Sequence, residues 1–425
     1  MPEPSAGISL QQLGTVDAPR PSRRAMQVYY LTYVSRGHRI GAKLFVPLGP
    51  APSEGWPVTV WCHGLGDPAS DFRRWPCTGD DWINTRGCVT GRWAHRGYAT
   101  LVPWLPGAGP SEPLMSFSPF SVARNGRAVA DGLWALWQLA ESSHSAGESL
   151  LPLDFQRQVI RTDCVSSPLM VYLASQLQTL PGLETVRALV SDDFQPSLAY
   201  NASYLNPYFL RLKGRLAAAM YCIWARTIWG LVKAEGWPLE IFFTPAAIEL
   251  FGQPAETVLG KCDRIFASRL VPPTQSELAP LLYSAVRTHL ERDPTGFDIF
   301  AWMFTAAMTQ WATLGDLAAM LRSPFYQTYF AASDPFFADN IQPFNPGVPL
   351  LVVPRTGSRA VNTGGLPGFD ERFEHMTRPK INTLKSWGWQ VELIRTAPMG
   401  GTSFSGGPNQ QAVMDRLGEI LNLSV

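Results

Sequence analysis

Gln158-Val-Ile-Arg-Thr-Asp-Cys-Val-Ser-Ser-Pro-Leu-Met-Val-Tyr-Leu-Ala174 is the stretch whose reading decides the fold. Its first four residues form a short apolar strand run, residues 169–179 have helix length and composition, and the residues between are small and mostly polar. A strand, a short connection and a helix make half of a βαβ unit. The same rhythm extends to both sides: Val58-Thr-Val-Trp-Cys62, Tyr98-Ala-Thr-Leu-Val102, Val186-Arg-Ala-Leu-Val190, Val348-Pro-Leu-Leu-Val-Val353 and Gln390-Val-Glu-Leu-Ile394 are short strand runs, and residues 122–140 read as a helix between two of them. Apolar runs spaced by helix-length segments are the pattern of buried parallel strands. Upstream, residues 27–34 and 39–46 are rich in β-branched and aromatic residues and read as a hairpin. The prediction is an α/β fold with a mostly parallel eight-stranded sheet flanked by helices.

The rhythm breaks over residues 198–332. This stretch has helical apolar faces at 212–232, 281–290 and 297–321 and is too long for a loop. A helical cap, or lid, over the carboxyl ends of the strands explains it, and open α/β sheets bind ligands at that edge. The expected organisation is an irregular N-terminal arm (1–24), a core in two pieces (25–197 and 333–425) and the cap (198–332). Aromatic residues at helical spacing are usually core, but a cap over the sheet must turn some of them toward its carboxyl end. Trp104, Tyr200, Tyr204, Trp224, Trp229 and Trp302 are the candidate pocket residues, and they favour a hydrophobic small-molecule substrate or ligand.

Composition narrows the function. The 425 residues carry 35 Lys and Arg against 34 Asp and Glu, a net charge of +1, with only 16% charged residues. That balance leaves no excess of cations for a nucleic-acid partner, and the low charge content implies much buried or ligand-facing apolar surface. The longest apolar run, residues 216–225, is about half a membrane span, so no transmembrane segment is expected. Residues 1–10 lack the basic and apolar regions of a secretory signal; the expectation is a cytoplasmic protein, or a secreted one if a signal has been removed. Cys62, Cys77, Cys88, Cys164, Cys222 and Cys262 lack the short paired spacings of a zinc site. Neither metal nor cofactor is expected. Cys77 and Cys88 either pair or remain thiols, and the oligomeric state is open.

Two glycine turns follow successive strands: Cys62-His63-Gly64-Leu65-Gly66-Asp67 and Pro103-Trp-Leu-Pro-Gly107-Ala-Gly109-Pro-Ser111. In α/β-hydrolases a His-Gly turn at the first place lets backbone N–H groups face a developing oxyanion. With Arg96-Gly-Tyr-Ala99, the long helical segment and Ser333-Asp-Pro335, these turns make the chain from about residue 27 to its end resemble the secretory lipases of bacteria and fungi. The resemblance implies an α/β-hydrolase acting on lipid esters through a Ser-His-Asp triad. It also implies an oxyanion turn at His63, Gly64 and Leu65, completed by Val165.

The triad positions carry other residues. Matching the helix after residue 168 without a gap puts Cys164 at the nucleophile, and Thr162 and Ser166 replace the glycines that flank the strained elbow, where a side chain ordinarily clashes with the following helix or strand. Ser358 occupies the acid's place in Val353-Pro-Arg-Thr-Gly-Ser358, and Met399 the histidine's in Thr396-Ala-Pro-Met-Gly-Gly401. Serine holds no negative charge, and a thioether takes up no proton in water. Asp192 and Asp193 are the nearest substitute acids, with helix capping or a hinge as their structural alternative. Of the remaining histidines, only His289 lies where a cap could lower it over Cys164. At a helix start Cys164 is either a dipole-activated thiolate or an inert small residue. Three readings follow: a repurposed hydrolase fold performing a cyclisation, elimination or isomerisation; a Cys164-dependent ester or thioester hydrolase or acyltransferase; and a non-catalytic ligand-binding protein.

Overall fold

The computed structural model describes residues 7–18, 23–62, 91–107, 111–112, 118–145, 151–163, 166–192, 194, 198–251, 278–334, 343–354, 371, 373–394 and 408–423. Each of the eight expected runs is a strand: β2 (Met26–Ser35), β3 (His38–Pro47), β4 (Trp56–Cys62), β5 (Ala99–Pro103), β6 (Leu153–Asp163), β7 (Val186–Asp192), β8 (Leu350–Val353) and β9 (Val391–Leu393). They lie in one sheet in the order β1-β2-β3-β5-β4-β6-β7-β8-β9. From β5 to β9 every neighbouring pair is parallel. The hairpin β2–β3 turns through Arg36 and Gly37, with φ of 49° and 80°, the paired positive φ that matches strand twist in a two-residue turn.

The sheet has nine strands, not eight. The additional strand is β1 (Ser9–Val16), paired antiparallel with β2 inside the stretch read as an irregular arm. Ser-Leu-Gln-Gln-Leu-Gly-Thr-Val is mostly polar and its side chains are exposed or half-buried. It is extended because β2 offers it an edge: the Gln27 side-chain amide also donates to the Gly14 carbonyl, next to a bulge between Gln12 and Gly14.

Alternation along the strands divides the core into two layers. On one face Trp93 of α1 (Gly91–Ala94) and Val413 and Leu417 of α13 (Pro408–Ile420) bury Val159, Val190 and Leu351. On the other, α2 (Val122–Ser145), α3 (Ser167–Ser175) and α12 (Arg378–Ser386) cover Val60, Cys62, Ile160 and Leu189. The α2–α3 contact depends on Gly126, where a Cβ would come within 2.5 Å of the Tyr172 ring.

Between β7 and β8 the chain forms α4 (Leu198–Phe209), α5 (Gly214–Glu235), α6 (Pro245–Phe251), α7 (Leu278–Leu290), α8 (Gly296–Met303), α9 (Ala306–Ala312), α10 (Leu317–Arg322) and α11 (Pro324–Tyr329). They enclose a separate aromatic core that includes Tyr221, Phe242, Phe300 and Trp311. No described helix is long and apolar enough to cross a membrane. Residues 297–321, read as one apolar face, are three helices. Phe304 is extended and bridges to Phe243, and Thr305 and Asp316 then cap new helix starts.

α8 starts on a capping box, Thr295 with Asp298, and Arg292 adds a two-pronged ion pair to the same carboxylate at 2.8 Å. These bonds hold the Asp298 carboxyl down at about 2, below the ~3.9 of an unfolded chain. A carboxyl lowered on folding contributes stability that is whole above ~4 and fades as pH falls through about 2. Asp298→Ala is therefore expected to cost about 1–2 kcal/mol at pH 7, read as a shift in urea midpoint. The difference from the parent chain should shrink as the titration is repeated toward the acid limit.

Candidate active site

Strands β4, β6, β7, β8 and β9 are parallel, so their carboxyl ends share one edge of the sheet. The segments bearing the sequence-predicted posts all leave from that edge. His63, Gly64 and Leu65 follow Cys62 at the end of β4, Cys164 and Val165 lie between β6 and α3, Asp193 follows β7, Ser358 comes after β8 and Met399 after β9. Those eight residues lie outside the described residues, as do Cys77 and Cys88; what surrounds the posts is described.

At the nucleophile post, β6 keeps its pairing up to Asp163, with Thr162 between Cys62 and Ser191. The Thr162 hydroxyl donates to Ser191 Oγ, and Ser191 donates in turn to Ser167 Oγ in the first turn of α3, both at 3.3 Å. All three side chains are fully buried. Ser166 precedes the helix with φ −82° and ψ 0°, and neither Thr162 nor Ser166 has a positive φ. The Thr162 side chain is buried in this row against the Ser191 hydroxyl, with Cys62 on its other side. Cys62, in the same row, has its thiol pushed well up by burial, which leaves it protonated and unreactive.

Asp192 ends β7 on the opposite face. It shares that face with Arg161, one diagonal step away on β6, and accepts from Arg161 Nε at 2.5 Å. The Arg161 side chain is 2% exposed. Its guanidinium lies 4.4 Å above the Trp61 ring and 4.6 Å from that of Trp93, and Nη1 makes no hydrogen bond. Cation–π contact and a charged partner are what an arginine needs to be buried inside a sheet layer. The carboxylate singled out as a substitute acid is thus engaged with an interior cation. The strand run 158–161 in the sequence gives no sign of this, since a terminal Arg reads as the strand's solvent end.

The aromatic candidates separate into two places. Trp104 is buried in the sheet's core, with Lys43 5.7 Å from its ring. Trp229 is buried against Phe243 and Phe251, and Trp224 and Trp302 are half-buried against the same aromatic core of the insertion. Tyr200 and Tyr204 lie on α4, with side chains outside the described residues. His289 is exposed in the last turn of α7. His375 is exposed too, and the His95 ring bonds the Arg24 carbonyl.

No protein-family model and no curated protein sequence matches the chain. Solved structures do. The rice cell wall degrading esterase LipA of Xanthomonas oryzae superposes with a TM-score of 0.57 at 14% identity, over 98% of this chain and 96% of that one. Candida antarctica lipase A in its closed state gives 0.52 at 10% identity, over 98% and 90%. The chain has a lipase-like α/β-hydrolase fold. Within the α/β-hydrolase fold, a strand-to-helix connection such as β6–α3 is where a nucleophile elbow is built, and here it bears Cys164. The buried polar residues Arg161, Tyr326, Asp334 and Lys380 were not legible as site candidates; the only signal for the last is the scarcity of lysine in the sequence.

Proposed function

We propose that this chain binds a hydrophobic small molecule beneath its helical insertion, acting as a lid, and converts it without an acyl-enzyme, by cyclisation, elimination or isomerisation. The observation that carries the proposal is the Arg161–Asp192 pair. Ser358 and Met399 are read as occupying the acid and histidine posts, and Asp192, the described member of the substitute-acid pair, is committed to the sheet interior, so it is not placed to serve a base. The lid then supplies what such reactions need, namely orientation of the ligand and exclusion of water. The test is a pair of measurements on the full chain: turnover of a p-nitrophenyl butyrate ester, and thermal shift against apolar aromatic and terpenoid ligands followed by mass analysis of the recovered ligand. Stabilisation with an altered but unhydrolysed ligand is expected. Stabilisation with no product identifies a binding protein instead.

The place of Cys164 in the sequence, between the end of β6 and the start of α3, favours a second reading. A thiolate at Cys164, beside the helix start at Ser167, would attack an ester carbonyl, expel the alkoxide as its alcohol and leave a thioester for transfer to water or another acceptor. An activated ester then labels Cys164 and leaves buried Cys62 untouched. Peptide mapping that finds Cys164 unlabelled in folded protein removes this reading; rapid labelling with turnover removes the first.

A further inference from the structure

Three buried polar side chains belong to the place where the insertion returns to the sheet. Tyr326 of α11 is fully buried, and its hydroxyl makes no hydrogen bond of good geometry. Asp334 follows the last turn of the insertion, Ala331–Ser333, and is 2% exposed; Lys380, in the first turn of α12, is 5% exposed. The Asp334 carboxylate acts electrostatically on both the Tyr326 hydroxyl and the Lys380 amine. Thr377, one turn before Lys380, donates to the Phe194 carbonyl at 2.7 Å, two residues past the end of β7. The cluster is thereby tied to the carboxyl edge of the sheet. α12 is entered through a π-helical turn, Phe373–Thr377, a distortion that recurs at functional sites.

The choice of lysine is informative. Of the 35 Lys and Arg residues only six are Lys: Lys43, Lys213, Lys233, Lys261, Lys380 and Lys385. Lys380 is the buried one among the described residues. A buried cation kept for an ion pair is better served by arginine, as Arg161 illustrates, whereas a buried lysine readily gives up its charge and becomes a nucleophile or base.

We propose that Lys380 is an amine nucleophile that takes a hydrophobic aldehyde or ketone as an imine, with Tyr326 and Asp334 moving the protons; this rests on the reading that an apolar ligand enters beneath the insertion. The neutral nitrogen adds to the carbonyl carbon while the Tyr326 hydroxyl donates to the oxygen. Asp334 accepts the first amine proton and returns it to Tyr326. The carbon–oxygen bond then breaks, and the oxygen leaves as water with the second amine proton, so the net products are one imine and one water. Burial lowers the Lys380 ammonium to about 8 against the pull of Asp334, and burial together with Asp334 raises Tyr326, which keeps it a donor. Relative to an ordinary lysine near 10.4, the neutral amine fraction at neutral pH is roughly two-hundred-fold larger. The charged neighbours on its own segment, Glu374 and Arg378, are exposed and paired with each other.

The test treats the full chain with hexanal and sodium cyanoborohydride, whose hydride reduces the imine to a stable secondary amine, and maps the adducts by mass spectrometry. Lys380 is expected to be alkylated at least ~10-fold faster than exposed Lys213, Lys233 and Lys385, with a rate that climbs through about pH 8. Lys380→Arg, which keeps the charge, should abolish the adduct while circular dichroism stays unchanged, and Tyr326→Phe should slow it. Modification of the exposed lysines ahead of Lys380, or a Lys380 rate that does not vary with pH, overturns the proposal. The readout is independent of the proposed overall function: an apolar ligand that stabilises a chain with an unreactive Lys380 defeats only the imine, and ester turnover through Cys164 in a chain with a reactive Lys380 defeats only the function.

Discussion

Replacing Arg161 with Met is expected to destabilise the protein by about 3–5 kcal/mol, the range for breaking a buried ion pair by removing one partner. The side chains of Arg161 and Asp192 are 2% and 11% exposed, so water does little to replace the lost guanidinium beside the Asp192 carboxylate. Trp61 and Trp93 lose a cation that both rings contact, and the methionine that replaces it fills only part of the slot. Asp192→Asn should cost less, because the amide oxygen still accepts from Nε. The double replacement Arg161→Met with Asp192→Leu should recover much of the loss, since an apolar pair of similar volume avoids desolvating either charge. Urea unfolding of the parent chain, Arg161→Met, Asp192→Leu and the double variant closes the double-mutant cycle that measures the coupling. A loss below about 1 kcal/mol for Arg161→Met would mean that the pair is not a buried one in solution.

The second large effect is one that fails to appear. Placing triad side chains at the three positions read as its posts, with Cys164→Ser, Ser358→Asp and Met399→His, is expected to leave p-nitrophenyl butyrate hydrolysis within about tenfold of the parent chain, although a working triad contributes roughly 10⁶ in rate. Triad members act as a unit, and the unit needs an elbow that presents the nucleophile to backbone N–H donors. On the described flanks of this connection Thr162 and Ser166 stand where such elbows carry glycine, and Thr162 is tied through Ser191 of β7 to Ser167 by hydroxyl hydrogen bonds. A gain of about 10³ or more in kcat/KM would show that the three side chains alone separate this chain from an esterase.

Most of the sheet was legible because its central strands are buried on both faces and so must be continuous apolar runs. Strand β1 was not: Gln11, Gln12 and Thr15 face solvent, and its extended form comes from β2 rather than from its own residues. The insertion was legible as helical but not in its divisions, since the breaks at Phe304 and Asp316 depend on a cross-chain bridge to Phe243 and on capping side chains. Of the candidate site, the shared edge of the parallel strands' carboxyl ends could be read from the alternation of strands and helices. The engagement of Asp192 could not, because Arg161 meets Trp61 through sheet register and Trp93 through the packing of α1, and the influence of Asp334 on Lys380, 46 residues away, arises only in the tertiary fold.

Across the sheet, strand length falls from eleven residues in β6 to seven in β7, four in β8 and three in β9, and β9 is only half-buried. Opening free energy follows buried contacts and protected hydrogen bonds, so the sheet frays from one side. Amide protons of β9 should exchange through local openings long before those of β6 do. Met399, read above as the histidine post, thus follows in sequence the strand expected to open first, while Arg161 lies on the longest one. A proton-transfer group at the β9 side would have to work from a moving support; one on α12, packed by Ile381 and Leu384 into the main core, would not.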